Sequence, residues 1–241
     1  MDETFTIRAI VLDRQPYREN DSRVPVYSLE QGKLSLIARG TASVKSKMAG
    51  HIEPFCFSDI MVVCGRNRDY IGGAAVKNSF AKLKSDLAKL SVAGSACSFL
   101  ASAVKDSEPD PNLFHLLLDF LEFLEENKIS GEREGLLVGA FAFKTAAILG
   151  YLPVLSVCTV CGKKIEPQGN GFECGRGGLA CPLCKSKDSI PISGGAIKIL
   201  RYLIKESFLN INKLRLDRRV SDESALIRDS YLAFLFGTAK K

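Results

Sequence analysis

Two cysteine pairs constrain the fold of this chain more than any other feature of its sequence. Cys158-x2-Cys161 and Cys181-x2-Cys184 are separated by nineteen residues, a ligand spacing typical of a closed tetrahedral zinc site. Four thiolates saturate Zn²⁺ and leave no position for water, so the pattern predicts a metal that stabilises a fold and performs no chemistry. The glycine-rich loop between the pairs can hardly bury enough apolar surface to hold its shape without the ion. We therefore expect a structural zinc module.

Other states of the cysteines remain open at this stage. Cys174 lies inside the loop and could replace Cys181 as a ligand or stay outside the site. Two disulfides or unliganded thiols would also satisfy the count, although the first residues lack the apolar segment of a signal peptide. Cys56, Cys64 and Cys97 lie among apolar neighbours and are predicted to be small core residues.

The distribution of charge points to an anionic partner. The formal net charge is +6, and residues 31–50 contain four basic and no acidic side chains, while residues 185–219 contain nine basic and three acidic ones. Such runs attract phosphate, although each alone could equally be a solvated surface. The predicted DNA-backbone contacts are Arg14, Lys33, Arg39, Lys45 and Lys47 in the first part of the chain, with Lys198, Arg201, Lys213 and Arg215 as weaker candidates in the last part.

Short alternating strands are predicted in the first eighty residues. Apolar residues alternate over 5–11 and 34–38, and a third apolar run covers 55–63. Five such strands favour an oligonucleotide-binding (OB) barrel, although periodicity alone also suits an SH3-like barrel. Tyr17, Tyr27 and Phe57 are candidates for stacking on bases and, equally, for barrel core.

Helical spacing replaces the strand pattern after Gly73. One stripe contains Phe80, Leu83, Leu87 and Leu90, and Asp110-Pro111 starts a second helix. Further helices are predicted over 132–149, 195–207 and 222–236, the last behind a Ser221 cap. The sequence thus predicts an α+β protein with an OB-fold β-barrel at 1–77, an all-α helical domain at 78–155 and 190–241, and an inserted zinc ribbon at 156–189.

No motif of an enzyme is convincing. His51-Ile52-Glu53 with a Cys-x2-Cys is similar to a zinc deaminase signature, but His51 lies far ahead of Cys158, and no proline directly precedes Cys181. Neither a P-loop nor a dinucleotide-binding motif is present. We expect a binding protein without catalytic residues; the alternative is a protein-interaction adaptor that serves acidic protein partners. Because no apolar run approaches the roughly eighteen residues of a membrane span, we expect a cytoplasmic protein.

Several separated motifs together resemble the RecO family of bacterial DNA repair proteins. They are Ile10-Val11-Leu12 with Pro16-Tyr17 and Glu19-Asn20-Asp21; Glu30-Gln31-Gly32-Lys33-Leu34 with Ala38-Arg39-Gly40; Glu53-Pro54-Phe55; and Leu149-Gly150-Tyr151-Leu152-Pro153 leading into the first cysteine pair. The resemblance spans almost the whole chain in order. It implies an OB domain, a helical domain and a zinc module, in a nucleoid-associated protein.

The same resemblance implies activity and partners. Members of the family bind single- and double-stranded DNA, anneal complementary strands and, with RecR, help to load RecA onto strands covered by single-strand-binding protein. In the family, the acidic, phenylalanine-ended tail of single-strand-binding protein docks on the helical domain. Arg201 and Lys205 are our candidates for pairing with its carboxylates, with a solvated charged surface as the equal alternative.

Overall fold

The chain divides into two compact units, Met1–Lys128 and Ile129–Lys241. The computed structural model describes residues 3–41, 43, 46–215 and 217–237. Within these residues, the first unit contains a β-barrel and three α-helices, and the second contains four α-helices and a small sheet. The sequence predicts three domains, and this division stays a prediction. The two compact units divide the chain differently, because the first unit includes the first three helices together with the barrel.

The barrel is formed by β1 (Thr4–Val11), β2 (Gln15–Pro16), β3 (Ser22–Ser28), β4 (Gly32–Ala38), β5 (Phe57–Val63) and β6 (Tyr70–Asn78). The five longer strands follow the cyclic order β1-β5-β6-β4-β3, and β1 closes the cycle by pairing with β3 as well as with β5. Strands β4 and β6 are parallel and meet at Ile37 and Tyr70. The predicted OB-like barrel is thereby confirmed.

The alternation seen in the sequence places the apolar side chains inside the barrel. Ile7, Ala9 and Val11 of β1 are at most 1% exposed and pack with the inner residues of the other strands. Register shifts between β5 and β6 beside Ser58 and Val62 supply the local curvature that closure of a small barrel requires. The barrel core therefore follows from the alternation of apolar and polar residues along each strand, because successive side chains point to opposite faces.

Three helices complete the first unit: α1 (Ala81–Lys84), α2 (Leu87–Ala103) and α3 (Pro111–Glu126). As predicted, Asp110 caps α3, accepting a hydrogen bond of 2.8 Å from the Asn112 amide. The stripe predicted through Leu87 is wrong, because this side chain is 84% exposed. Asp86 accepts hydrogen bonds from the Ala88 and Lys89 amides and caps a new helix. Because α1 ends at Lys84, the helical spacing of apolar residues does not continue from Leu83 to Leu87.

The second unit contains α4 (Gly131–Ile148), the three-stranded sheet β7 (Asn170–Glu173), β8 (Gly178–Ala180) and β9 (Ile190–Ile192), and then α5 (Gly194–Lys205), α6 (Phe208–Lys213) and α7 (Arg218–Phe236). The predicted Ser221 cap is wrong, because α7 begins four residues earlier, behind Asp217, which accepts from the Arg219 amide. Phe172 and Tyr231 lie in the core of this unit. Among the described residues, no helix is long and apolar enough to cross a membrane.

Candidate metal site and nucleic-acid interface

Four cysteine thiols converge in the second unit. The Sγ atoms of Cys158, Cys161, Cys181 and Cys184 all lie within 4.8 Å of one another. Those of Cys161 and Cys181 are 3.9 Å apart, close to the separation of about 3.8 Å that four zinc–sulfur bonds of roughly 2.3 Å impose on a tetrahedron. Disulfides need a sulfur separation of about 2.05 Å, and all these cysteines are free. The cluster can therefore hold a metal ion.

Short backbone turns position the thiols. In the first cysteine pair, the Cys158 amide donates to the Lys163 carbonyl at 2.8 Å, and the Gly162 amide donates to the Cys158 carbonyl at 2.9 Å. Gly162 has φ of +73°, a conformation that favours glycine. In the second pair, the Cys184 amide donates to the Cys181 carbonyl at 3.0 Å. The ligand spacing is thus set by local turns rather than by distant packing.

The electrostatics of the cluster favour a bound cation. Burial raises the pKa of the Cys158 thiol, but hydrogen bonds from the backbone of Cys161, Cys181 and Val160 outweigh it and lower that pKa to about 6. The pKa of Cys184 is raised to about 12, because hydrogen bonds to the neighbouring thiols and then burial disfavour its thiolate. Four sulfurs this close cannot all carry charge unless a metal ion compensates it.

Cys174 and His51 lie outside this cluster. Among the described residues, the four cysteines of the two pairs are the ones brought together, so Cys181 rather than Cys174 has the position of a ligand. Cys174 is half-buried and packs against the core of the second unit. The His51 Nδ1 atom accepts a hydrogen bond of 3.3 Å from the Val76 amide. This barrel contact gives no support to a deaminase site.

Lys33, a predicted phosphate contact, is engaged inside the first unit. Its ammonium donates to the carbonyls of Ala101 and Val104, at 2.8 and 2.7 Å, and lies 3.1 Å from the Asp106 carboxylate. Ala101 lies in the last turn of α2 and Val104 is its C-cap residue, and at this end of a helix carbonyls lack partners and a cation is favourable. Lys33 thus caps α2, and this geometry argues against its role as a DNA contact.

Lys33→Met should therefore destabilise the protein by about 1–3 kcal/mol, because it leaves carbonyls of α2 without a donor. Lys47→Met is the matched control, since the Lys47 side chain is exposed, and its effect should stay within about 0.5 kcal/mol. Urea unfolding of both variants measures the difference. Unchanged stability of Lys33→Met together with weaker DNA binding would favour the phosphate contact instead.

Arg14 is also engaged. Its guanidinium donates to the Ser22 hydroxyl at 3.1 Å, to the Ala49 carbonyl at 3.4 Å and to the Thr41 carbonyl. These bonds hold the connection between β4 and β5 at two points, Thr41 near its start and Ala49 in its middle. Lys47 is exposed within that connection, and Lys45 lies outside the described residues. The cations predicted as one DNA-binding surface thus differ: Arg14 and Lys33 make hydrogen bonds within the protein, whereas Lys47 is exposed.

A cluster of cations and aromatic rings lies at one rim of the barrel. The Arg39 guanidinium carbon is 4.0 Å from the centroid of the Tyr70 ring, and those of Arg18 and Arg68 are 5.4 and 5.0 Å from that of Tyr17. We call these five residues the rim cluster. Their segments meet because β2 pairs with β3, and β4 pairs with both β3 and β6. Each such contact contributes about 0.5–1 kcal/mol when exposed.

The rim cluster has positive charge available for a ligand. In the described part of the chain, Arg18, Arg39 and Arg68 are exposed and form no salt bridge. The nearby carboxylates of Asp21 and Asp69 accept hydrogen bonds from the amides of Gly40 and Gly65, at 3.0 and 3.2 Å. Arginines held against aromatic rings can contact phosphates while the rings offer a face for bases.

Sequence reasoning found Arg39 and Tyr17 but missed Arg18, Arg68 and Tyr70. The signal that could have found them is Arg66-Asn67-Arg68-Asp69-Tyr70, a basic and aromatic turn between two strands. Of the other candidate aromatics, Tyr27 is fully buried, and its hydroxyl accepts a hydrogen bond of 3.2 Å from the Asp110 amide. Phe57 is half-buried, edge-on to Phe114 at 5.9 Å between centroids. Tyr27 therefore cannot stack on a base, and Phe57 is largely engaged.

The predicted cations of the second unit also differ in availability. The Arg201 guanidinium donates to the Leu155 carbonyl, from Nε at 3.1 Å and also from Nη2, which anchors the segment before the first cysteine pair. Lys198 and Lys205 are exposed on α5. Lys213 and Arg215 are exposed at and after the end of α6. Exposed lysines on α5 are thus better placed than Arg201 to meet an anionic partner.

Fold and site together define a class: a protein with an N-terminal OB-like barrel, a helical region and a four-cysteine cluster that can bind metal. Two family models cover almost the whole chain, Recombination protein O N terminal over residues 1–80 and Recombination protein O C terminal over residues 84–241. The chain belongs to the RecO family of DNA repair and recombination proteins. The resemblance predicted from the sequence motifs is thereby confirmed.

Individual relatives agree with the family models. The DNA repair protein RecO of Desulforamulus reducens is 31% identical over 232 residues, which cover 95% of this chain and 89% of that protein. The protein of the same name from Rubrobacter xylanophilus is 33% identical over 202 residues, or 83% of this chain and 80% of that protein. One from Dehalococcoides mccartyi is 28% identical and covers 96% and 90% of the two chains.

Proposed function

We propose that this protein is a non-enzymatic mediator of recombinational repair. It binds single- and double-stranded DNA, anneals complementary strands and, together with RecR, helps to load RecA onto DNA covered by single-strand-binding protein. Membership of the RecO family supports this proposal. The observation in the structure that carries it is the rim cluster, which combines three arginines with two aromatic rings on an OB-like barrel.

Annealing by such a surface needs no catalytic group. Two complementary strands repel each other through their phosphates, and cations that neutralise part of this charge lower the cost of bringing the strands together. The bases then pair by themselves, and phosphate contacts hold the strands without reading their sequence. The exposed side chains of Arg18, Arg39 and Arg68 supply this charge in the proposed complex. Lys47 extends it along the connection that follows β4.

The metal in our proposal is zinc, held by the four clustered cysteines. Their sulfur spacing fits tetrahedral coordination, and thiolates favour zinc among the common structural metals. When bound, zinc stabilises the turns of the two cysteine pairs; four protein ligands leave no open position for a reaction on the metal.

The second unit supplies a site for protein partners in this proposal. Lys198 and Lys205 lie on the exposed side of α5 and can pair with carboxylates of the acidic tail of single-strand-binding protein. Arg201 has a structural part in this proposal, since its guanidinium anchors the segment before the first cysteine pair through the Leu155 carbonyl. These partners place the protein on the nucleoid in the bacterial cytoplasm.

Fluorescence anisotropy with labelled single-stranded oligonucleotides tests the DNA-binding surface. Arg18→Gln/Arg68→Gln should weaken binding about ten-fold at moderate salt and make the dependence of log affinity on log salt less steep by about 1.4, or 0.7 for each lost phosphate contact. Arg8→Gln removes a cation that is already paired with Glu30 at 2.7 Å and should leave both quantities nearly unchanged. Annealing rates should fall in parallel with affinity. Equal losses in the rim variant and the control would contradict the proposed surface.

A further inference from the structure

The tip of the cysteine ribbon exposes apolar side chains. Leu183 is 93% exposed and Val160 is 45% exposed, and each occupies the position just before the second cysteine of its pair. Because the two pairs converge on one cluster of sulfurs, these side chains lie at the same end of the ribbon. A metal held by the four sulfurs would fix the backbone beneath these side chains and make the apolar tip rigid.

Lysines follow both cysteine pairs. Lys163 and Lys164 come after the first pair, and Lys185 and Lys187 come after the second, all of them exposed. The Lys185 ammonium donates to the Gly169 carbonyl at 2.9 Å. Within the described ranges, none of the four lysines forms a salt bridge. The described lysines that follow the two cysteine pairs therefore carry positive charge that no salt bridge within the ribbon neutralises.

A cleft of about 440 Å³ joins the two features. Lys163, Lys164, Glu166, Cys181, Pro182 and Leu183 line this cleft. Its volume lies within the range of roughly 300–1,000 Å³ that is usual for ligand-binding clefts. Two ammonium groups and one carboxylate give it a net positive charge, and the proline and leucine side chains give it an apolar wall. This combination suits a ligand that has both a flat apolar face and a negative charge.

We propose that the tip of the cysteine ribbon is a second contact for single-stranded DNA. An unpaired base packs against Leu183 and Pro182, while adjacent phosphates contact Lys163 and Lys164. Apolar side chains pack against base faces in many DNA complexes without reading the sequence, and lysines act on phosphates as point charges. This inference rests on the proposed DNA-binding function and extends it to the second unit.

The chemistry of the tip favours a nucleotide chain over an acidic peptide. Phosphates recur along a strand at every nucleotide, and the ribbon offers lysines on both sides of its apolar tip. An aspartate-rich peptide can also pair its carboxylates with these lysines, but its side chains offer no flat apolar face to Leu183 and Pro182. Membership of a DNA repair family makes nucleic acid the ligand of first choice. The acidic peptide becomes a separate outcome of the test.

Photo-crosslinking of the full chain to oligothymidylate that carries one 4-thiothymidine tests the contact. We expect a crosslink to residues 160–184, and Leu183→Ser should lower its yield at least about five-fold, because serine buries little apolar surface against the base. Leu87→Ser is the control, because Leu87 is 84% exposed in the first unit. Metal content should be the same in all three proteins, since both substitutions are at exposed positions.

The salt dependence of binding tests the lysines independently. Lys163→Gln/Lys164→Gln should reduce the slope of log affinity against log salt by about 1.4, whereas Lys82→Gln/Lys105→Gln, also exposed, should not. If the chain binds no single-stranded DNA, the proposed function fails as a whole. If it binds DNA but neither the crosslink nor the slope changes, only the ribbon contact is overturned. Loss of binding to an aspartate-rich peptide alone would assign the tip to a protein partner and also overturn the inference.

Discussion

Cys181→Ser will remove the metal from the protein and unfold the cysteine ribbon. Its Sγ atom lies 3.9 Å from that of Cys161, and its amide donates to the Cys158 sulfur at 3.4 Å. The substitution removes one of the four sulfur ligands, while the backbone bond to the Cys158 sulfur remains. Structural zinc contributes an apparent free energy of about 10–16 kcal/mol to small modules at neutral pH. We expect metal content to fall from about one zinc per chain to near zero in elemental analysis, with rapid proteolysis of residues 156–189.

Cys174→Ser is the matched control for this prediction. It removes a thiol from the same ribbon, but one that packs against the hydrophobic core and lies outside the sulfur cluster. Its metal content should equal that of the unmodified chain, and its ribbon should resist the protease. Chelation of the unmodified protein should reproduce the behaviour of Cys181→Ser. If Cys174→Ser loses metal and Cys181→Ser retains it, then Cys174 and not Cys181 is the metal ligand.

The four-cysteine cluster was predictable from the sequence because its geometry is local. Each cysteine pair lies on one turn, so the spacing along the chain nearly fixes the spacing in space. Whether Cys174 or Cys181 joins the cluster was not decided by local geometry. It depends on the pairing of β7 with β8, which opposes Gly171 to Ala180, just before Cys181. Only this register decides which thiol reaches the cluster.

The proposed nucleic-acid surface was less predictable, because a charge run does not reveal which cations already have partners. Lys33 and Arg39 are six residues apart in one basic segment, yet Lys33 caps α2 whereas Arg39 is exposed over Tyr70. The difference arises from the packing of α2 against the barrel, a contact between residues about seventy positions apart. Helix and strand periods carry no information on such contacts. Leu87 illustrates the same limit, since the cap at Asp86 overrides the apolar stripe.

Gly32→Ala should be among the most destabilising single substitutions in the first unit. Gly32 has φ of +65°, and a Cβ atom there would lie 2.4 Å from the Glu108 carbonyl oxygen and 2.8 Å from the Pro109 nitrogen. Left-handed backbone costs a residue with a side chain about 1–3 kcal/mol, and overpacking against backbone adds about 1–3 kcal/mol. We expect the free energy of unfolding to fall by about 2–6 kcal/mol in urea titrations, a large share of the 5–15 kcal/mol typical of a domain.

Gly40→Ala separates the two causes of this loss. Gly40 has nearly the same φ, +66°, but a Cβ atom there would meet nothing within 4 Å. Its substitution should therefore cost only the backbone term, about 1–3 kcal/mol, and the difference between the two variants measures the steric clash. The clash matters because Gly32 starts β4 directly before Lys33, whose carbonyl accepts from the Ser107 amide at 2.9 Å. Pushing residues 107–109 away would also pull the Lys33 ammonium from the end of α2. Equal losses at Gly32 and Gly40 would mean that this segment moves freely and does not fix the barrel to its helices.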